Sequence, residues 1–226
     1  MIKIFVLHYK KLVDRKEFLL KQFEKHGIFD FEFIQLYDLD DGDISEKDWC
    51  LFDLNDPDFI INKSRISLAL KHIYVYKEIS EKYDSALILE DDVVFHENFV
   101  DIFEKYITQL PSNYDILLIG DGCNFHIPIE MQIPNCNIYE RGTYSVGWGG
   151  DGITRCTDSY VISKKCANEI TSLTNDILND VEPKIYKGMD WWLNTIARQK
   201  NFIVYWAEPT IVSQGTQTGL YSSSNW

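Results

Sequence analysis

The chain opens on an unbroken apolar run from Ile2 to Leu7, the pattern of a strand buried on both faces of a parallel sheet. From Leu12 to His26 the period changes: Phe18, Leu19, Gln22 and Phe23 recur on one side and Gly27 supplies a stop, which predicts a helix. Phe31 to Tyr37 predicts a second strand, so the chain begins strand, helix, strand, as an α/β sheet does. A strong helix is predicted over Ser64 to Tyr83, with an apolar stripe of Ile66, Ala69, Leu70, Ile73, Tyr76 and Ile79. Ala86 to Leu89 is a short apolar strand, Val100 to Leu110 a helix ended by Pro111, and Asp115 to Ile119 another buried strand. Later come a strand at Ser159 to Ile162, Ser163 as N-cap of a helix from Lys164 to Leu173, a helix from Asp190 to Gln199, and a last strand from Phe202 to Trp206. Asp38 to Asp48 and Asn55 to Pro57 read as loop and turn, and Gly122 to Asp158 as loop with short strand. The Ser-, Thr-, Gly- and Gln-rich stretch from Ser213 to Trp226 is expected to be flexible without a ligand. With no repeat, linker or low-complexity block, one α/β domain covering residues 1–226 is the simplest organisation.

Composition narrows the class. Apolar residues at 45% and charged residues at 25% are ordinary for a globular protein, which removes collagen-like, coiled-coil and disordered readings. Aromatic residues at 14% favour strands and a ring-lined pocket. The formal charge of −13 makes the chain a poor general binder of DNA or RNA, because phosphate contacts dominate that affinity. A small phosphorylated ligand remains compatible, since a bridging cation reverses the local sign. The five Cys are odd in number and show no C-x-x-C spacing, so free thiols in a reducing compartment are expected rather than a disulfide framework or a zinc ribbon. The opening apolar run is too short for a signal-peptide core or a membrane span, which leads to the expectation of a cytoplasmic protein without a membrane span.

Two glycine-containing matches fail on context. Gly147 to Gly152 fits G-x-G-x-x-G, yet it lies late in the chain and leads into a predicted strand instead of opening a helix. Asp38-Leu-Asp40-Asp-Gly42 resembles a calcium loop, but its Gly falls one place early and its twelfth position is Trp49.

The stretch that carries chemistry is Ala86-Leu-Ile-Leu-Glu90-Asp91-Asp92-Val93. A buried strand ends in three consecutive acids, and ligands of open α/β sheets bind at the carboxyl ends of strands. In an extended segment Glu90 and Asp92 point the same way, an arrangement that suits a hard divalent cation, Mn²⁺ or alternatively Mg²⁺. Without a cation the same acids read as a solvated strand-to-helix turn. Asp190 precedes two Trp residues, whose rings would lower the local dielectric and raise its pKa; the plainer reading is a helix N-cap.

The acidic segment resembles the D-x-D-type motif of glycosyltransferases with the nucleotide-sugar-binding GT-A fold. The wider pattern resembles glycosyltransferase family 25, which includes lipopolysaccharide and collagen β-galactosyltransferases. The opening from Ile2 to Phe18, with Arg15 at the basic position, is similar to the family's first strand and loop. Leu68 to Tyr76 resembles its "LSH" helix, Asp158 to Ser163 with Ala167 its later strand–helix unit, and Met189 to Trp192 with Glu208-Pro209 to Gln214 its acid-containing helix and closing segment. Three departures stand out: His8 replaces the usual Asn, Ala69 and Lys71 occupy the "LSH" neighbourhood without its Ser, and no His follows His126 to match the C-terminal metal-binding His of some relatives.

The resemblance implies a GT-A-like mixed sheet flanked by helices, with residues 1–120 binding the nucleotide sugar and residues 121–226 facing the acceptor. It implies metal-dependent, inverting transfer of galactose or glucose from a UDP-sugar to a glycan or protein-linked hydroxyl. Asp92 and Glu90 are then the expected metal ligands, and Asp91 the acid beside them that meets sugar or solvent. Asp190 is the expected general base, with Asp151 as runner-up because Trp148-Gly-Gly-Asp151 resembles an acceptor-side loop. Arg15, His8 and Gln214 are expected on the nucleotide, phosphate or metal, and Trp191 on a sugar ring. The plainer reading of Arg15 is a surface residue pairing with Asp14 or Glu17, and of His72 a satisfied core histidine. A non-catalytic nucleotide- or carbohydrate-binding module on the same fold is the alternative.

Overall fold

The structure, a computed structural model, describes residues 2–141 and 154–222. Asp151 and the Gly147–Gly152 run therefore lie outside the described residues.

Seven strands form one mixed sheet. They are β1 (Lys3–Leu7), β2 (Phe31–Ile34), β3 (Ser85–Glu90), β5 (Ile116–Leu118), β6 (Ile138–Glu140), β7 (Ser159–Ser163) and β8 (Val204–Ala207), in the spatial order β2-β1-β3-β7-β5-β8-β6. β1 runs parallel to β2 and β3, β7 runs antiparallel to β3 and β5, and β6 is antiparallel to β8. A separate two-stranded ribbon pairs β4 (Val93–Phe95) with β9 (Val212–Gln214).

The unbroken apolar runs follow from burial on both faces. Phe5, Leu7, Ile88, Tyr160 and Ile162 turn to the core that holds α4 (Ser64–Lys82), α6 (Lys164–Leu178) and α7 (Met189–Gln199). Ile4, Val6, Leu87, Leu89 and Val161 face the other core, with α1 (Val13–Lys25) and α5 (Phe99–Gln109). A polar residue on either face would meet a helix rather than water, so alternation is absent. α4 is enclosed by both the sheet and α6, and its buried residues include Ser67, Lys71 and His72 beside the apolar stripe.

The differences from the sequence reading have local causes. α6 runs to Leu178 because Ile170, Leu173 and Ile177 continue its buried face; Thr171, Thr174 and Asn175 weaken the propensity that packing overrides. Within the polar stretch, α2 (Glu46–Trp49) is held by a reciprocal capping box of Ser45 and Asp48, and α3 (Pro57–Ile61) by the Asp56 N-cap with Pro57 in the first turn. Both are too short to show a period. The expectation of a loose tail is overturned as far as Ser222: Val212–Gln214 pairs with β4, and the turn beyond it is fastened by Tyr221 N–H donating to the Gly215 carbonyl at 3.0 Å. Among the described residues no helix is long and apolar enough to cross a membrane.

Candidate active site

The register places one row of polar groups along a single sheet edge. Leu7 pairs with Glu90 and Leu89 with Ser159, so His8, Glu90 and Asp158 emerge side by side, and the Glu90 N–H donates to the Asp158 carbonyl at 2.8 Å. β5 ends at the same edge, adding Gly120 and Asp121. Gly120 is required for close approach: a Cβ there would lie 2.1 Å from Asp158 Oδ2.

β3 stops at Glu90, and Asp91 and Asp92 form a tight turn into β4. The expected extended segment is therefore a turn, and the three acids have three environments. Asp91 is buried and fully engaged, accepting from Arg15 Nη1 at 2.7 Å and from the Tyr9 N–H at 3.2 Å, with His8 Nδ1 at 2.9 Å. Burial pushes its pKa up, but the hydrogen bond to His8 and the Arg15 guanidinium outweigh it and hold the carboxyl below its usual range. Arg15 is thus a buried partner of Asp91 rather than a surface residue paired with Asp14 or Glu17, and its guanidinium lies 5.0 Å from the Tyr221 ring.

Asp92 accepts from Thr216 Oγ1 at 2.5 Å, while its Oδ1 is buried with no partner among the described residues. The tail grips this turn through the Gly215 N–H, which donates to the Asp92 carbonyl at 2.6 Å; a Cβ at Gly215 would meet that carbonyl at 2.9 Å. Glu90 keeps part of its surface open to the cleft and accepts from Thr157 Oγ1 at 3.2 Å. Burial, with the charges of Asp92 and Asp158, raises its pKa well above the ordinary value. Asp158 is wholly buried, with Ser159 Oγ donating to it at 2.8 Å; burial and the charges of Asp92 and Asp121 bring its pKa to about 8.

These groups line a cleft with two lobes. One, of about 280 Å³, is bordered by His8, Arg15, Lys71, the three acids, Gln214 and Thr216. The other, of about 410 Å³, is bordered by Asp190, Trp191, Cys156, Thr157 and Asp58. Arg65, Leu68, Glu90 and Gln214 belong to both, so the lobes meet above Glu90. Of the residues singled out in the sequence, His8, Arg15, Glu90, Asp91, Asp92 and Gln214 come together in the first lobe, and Asp190 and Trp191 face them from the second.

Asp190 lies in the first turn of α7, whose N-cap is Gly188, so it is not the cap itself; the Trp191 N–H donates to its Oδ1 at 2.9 Å. Burial raises its pKa, and the backbone N–H groups of Trp191 and Asp190, followed by the charge of Arg65, partly oppose that rise. Trp191 is 45% exposed and borders the second lobe, with Lys187 Nζ over its ring at 5.4 Å. His72 is a core residue: Tyr160 Oη lies 2.7 Å from its Nδ1, and burial lowers its pKa to about 3.

Sequence reasoning missed Thr157, Asp158, Thr216, Arg65 and the buried Lys71–Asp38 ion pair, in which the Lys71 ammonium also donates to the His8 carbonyl at 2.8 Å. Lys71 gave a signal, as a lysine amid apolar residues of a helix, and Asp158 stood in a segment matched to the family's later strand–helix unit without being assigned a role. Among the described residues no three His, Cys, Asp or Glu side chains form a ready-made metal cage. The orphaned, buried Asp92 Oδ1 beside Glu90 nevertheless fits a cation of the kind held by one or two carboxylates and completed by substrate phosphates.

Comparison with known proteins identifies the fold and the family. The fold is the GT-A type, a mixed seven-stranded sheet flanked by helices. It matches an active-site mutant of LgtC with a TM-score of 0.53 at 11% identity, over 94% of this chain and 86% of that one. LgtC described as a galactosyltransferase in complex with donor and acceptor sugar analogues gives a TM-score of 0.49 at 13% identity, over the same 94% and 86%. A putative glycosyltransferase, R655, of Acanthamoeba polyphaga mimivirus is 26% identical over 127 residues, which is 54% of this chain and 38% of that protein. The chain thus spans well under half the length of this curated relative. The model of glycosyltransferase family 25 (LPS biosynthesis protein) matches residues 1–182, and with most of the chain inside that match the protein belongs to glycosyltransferase family 25.

Proposed function

We propose that this chain is a metal-dependent, inverting glycosyltransferase that moves galactose or glucose from a UDP-sugar to a hydroxyl of a glycan or glycosylated protein. The observation that carries the reading is the meeting of two lobes above Glu90, with the acidic turn on one side and Asp190 on the other. The nucleotide sugar takes the lobe bordered by His8, Arg15 and Gln214, and the acceptor takes the lobe bordered by Asp190 and Trp191.

Asp92, through its unpartnered Oδ1, and Glu90 would hold Mn²⁺, or Mg²⁺ in its place. Such a cation neutralises charge on a departing diphosphate. Arg15 is oriented by Asp91 in a buried pair, and its Nη2 donates to the Ser222 carbonyl at 3.4 Å, so the guanidinium is held at the border of the lobe before a ligand arrives. Inversion needs one in-line displacement in which a carboxylate accepts the acceptor hydroxyl proton. Asp190 suits that role because burial raises its proton affinity. Trp191 offers the exposed ring on which an acceptor sugar stacks. Asp151, the second candidate base, stays in the proposal on sequence grounds.

The test is release of UDP from a panel of UDP-sugars with Mn²⁺ and then with chelator, adding glycan acceptors. One sugar consumed, with turnover lost on chelation, is the expected result. Asp190→Asn should lower turnover by about 10²–10⁴-fold with donor affinity kept, whereas Asp151→Asn should be mild. UDP binding without turnover for any sugar and acceptor would favour a non-catalytic binding module.

A further inference from the structure

Cys123 and Cys156 face each other with their Sγ atoms 3.4 Å apart. They come from different parts of the chain, the turn after β5 and the lead-in to β7, neighbouring strands at the edge that carries the site. Two features hold them there. Cys123 and Asn124 both adopt left-handed backbone, with φ of 59° and 56°, a conformation that L residues enter only under constraint. Gly122 presses against the opposite strand so closely that a Cβ on it would lie 2.3 Å from the Cys156 nitrogen and 2.9 Å from the Cys156 Cβ. The other three cysteines are arranged differently: Cys50 is exposed, Cys166 is buried, and Cys136 donates to the Ile138 carbonyl at 3.2 Å.

We propose that Cys123 and Cys156 are a reversible dithiol–disulfide site, with Cys156 in the wall of the second lobe and Cys123 exposed behind it. Closing the bond requires the sulfurs to approach by about 1.4 Å, from 3.4 Å to the ordinary S–S length, which side-chain rotation supplies when the backbones already touch. The oxidant is a small-molecule disulfide such as glutathione disulfide. Cys123, the exposed thiol, attacks it as thiolate, forming a mixed disulfide and releasing one glutathione. Burial, the Cys123 sulfur and the nearby carboxylates push the Cys156 thiol above its ordinary pKa, so its proton leaves as its sulfur attacks Cys123 Sγ, and the displaced second glutathione thiolate takes up a proton. Two protein thiols lose two electrons and two protons, and one glutathione disulfide becomes two glutathiones. The bond would fix Cys156 and its neighbour Thr157, both lining the second lobe, where Thr157 donates to Glu90. That consequence for the acceptor side rests on the proposed function; bond formation does not.

The experiment incubates the purified chain with excess glutathione disulfide, then uses differential alkylation and peptide mapping under denaturing, non-reducing conditions. The expected result is a fall from five alkylatable thiols to three, recovered by dithiothreitol, with one cross-linked species joining the Cys123 and Cys156 peptides. Five thiols remaining, Cys123 trapped only as a glutathione adduct, or pairing with Cys50 or Cys136 would overturn the proposal. Cys123→Ser, an exposed change, should yield no cross-link. If the chain transfers sugar, oxidation should change KM for the acceptor at least twofold with donor affinity unchanged, and Cys123→Ser should abolish that response. A cross-link with no transferase activity would refute the proposed function and leave the dithiol site standing. A cross-link with activity indifferent to it would overturn only the link to the acceptor lobe.

Discussion

Replacing Asp158 with Asn tests the electrostatic description of the site. Asp158 is wholly buried, and the charges of Asp92 and Asp121 act on it in addition to desolvation. Its pKa moves from the ordinary 3.8 to about 8. Between those values the folded chain keeps a proton that the unfolded chain has released, so stability falls as pH rises and levels off above the folded pKa. At about 1.4 kcal/mol per pH unit, the interval corresponds to an upper bound of roughly 5–6 kcal/mol. Asn is nearly isosteric with the protonated acid and does not titrate. Urea unfolding in chelator from pH 5 to 9 should therefore show Asp158→Asn gaining on the wild type by about 1 kcal/mol per pH unit up to pH 8, then running parallel to it. Parallel profiles over the whole range would refute the placement of Asp158 among unneutralised buried acids.

Arg15→Ala or Asp91→Ala alone should destabilise by about 3–5 kcal/mol, since each strands a buried charge, and the double variant should lose less than the sum; a double-mutant cycle by chemical denaturation measures the coupling. Because the Asp91 pKa is depressed, its contribution is present above the ordinary carboxylate pKa and is lost as pH falls through the folded one, so Asp91→Asn should flatten the acid limb of the stability profile. Gly120→Ala should lower stability by about 1–3 kcal/mol, because its Cβ would lie 2.1 Å from Asp158 Oδ2, and adding Asp158→Ala should restore part of that loss in thermal melts.

Local pattern settled much of this protein. Apolar runs marked six of the seven main-sheet strands because strands covered on both faces need no polar positions, and helical periods marked α1, α4, α5, α6 and α7. The Glu90-Asp91-Asp92 cluster was conspicuous because three adjacent acids at the end of an apolar strand are costly without a purpose. The division of labour among them was not legible. Asp91 differs from Asp92 through contacts made 76 to 124 residues away in the chain, with Arg15, Tyr9 and His8 holding the first and Thr216 the second. Asp158 looked like the last residue of a loop until antiparallel pairing set it beside Glu90. The tail carried no hydrophobic period, and β9 forms because β4 leaves the main sheet and offers it an edge while Gly120 and Asp121 bridge to Val212 from the end of β5. Periodicity reports which face of an element avoids water; which distant carboxylate, guanidinium or thiol it will meet is decided by strand order and register, which only the folded chain fixes.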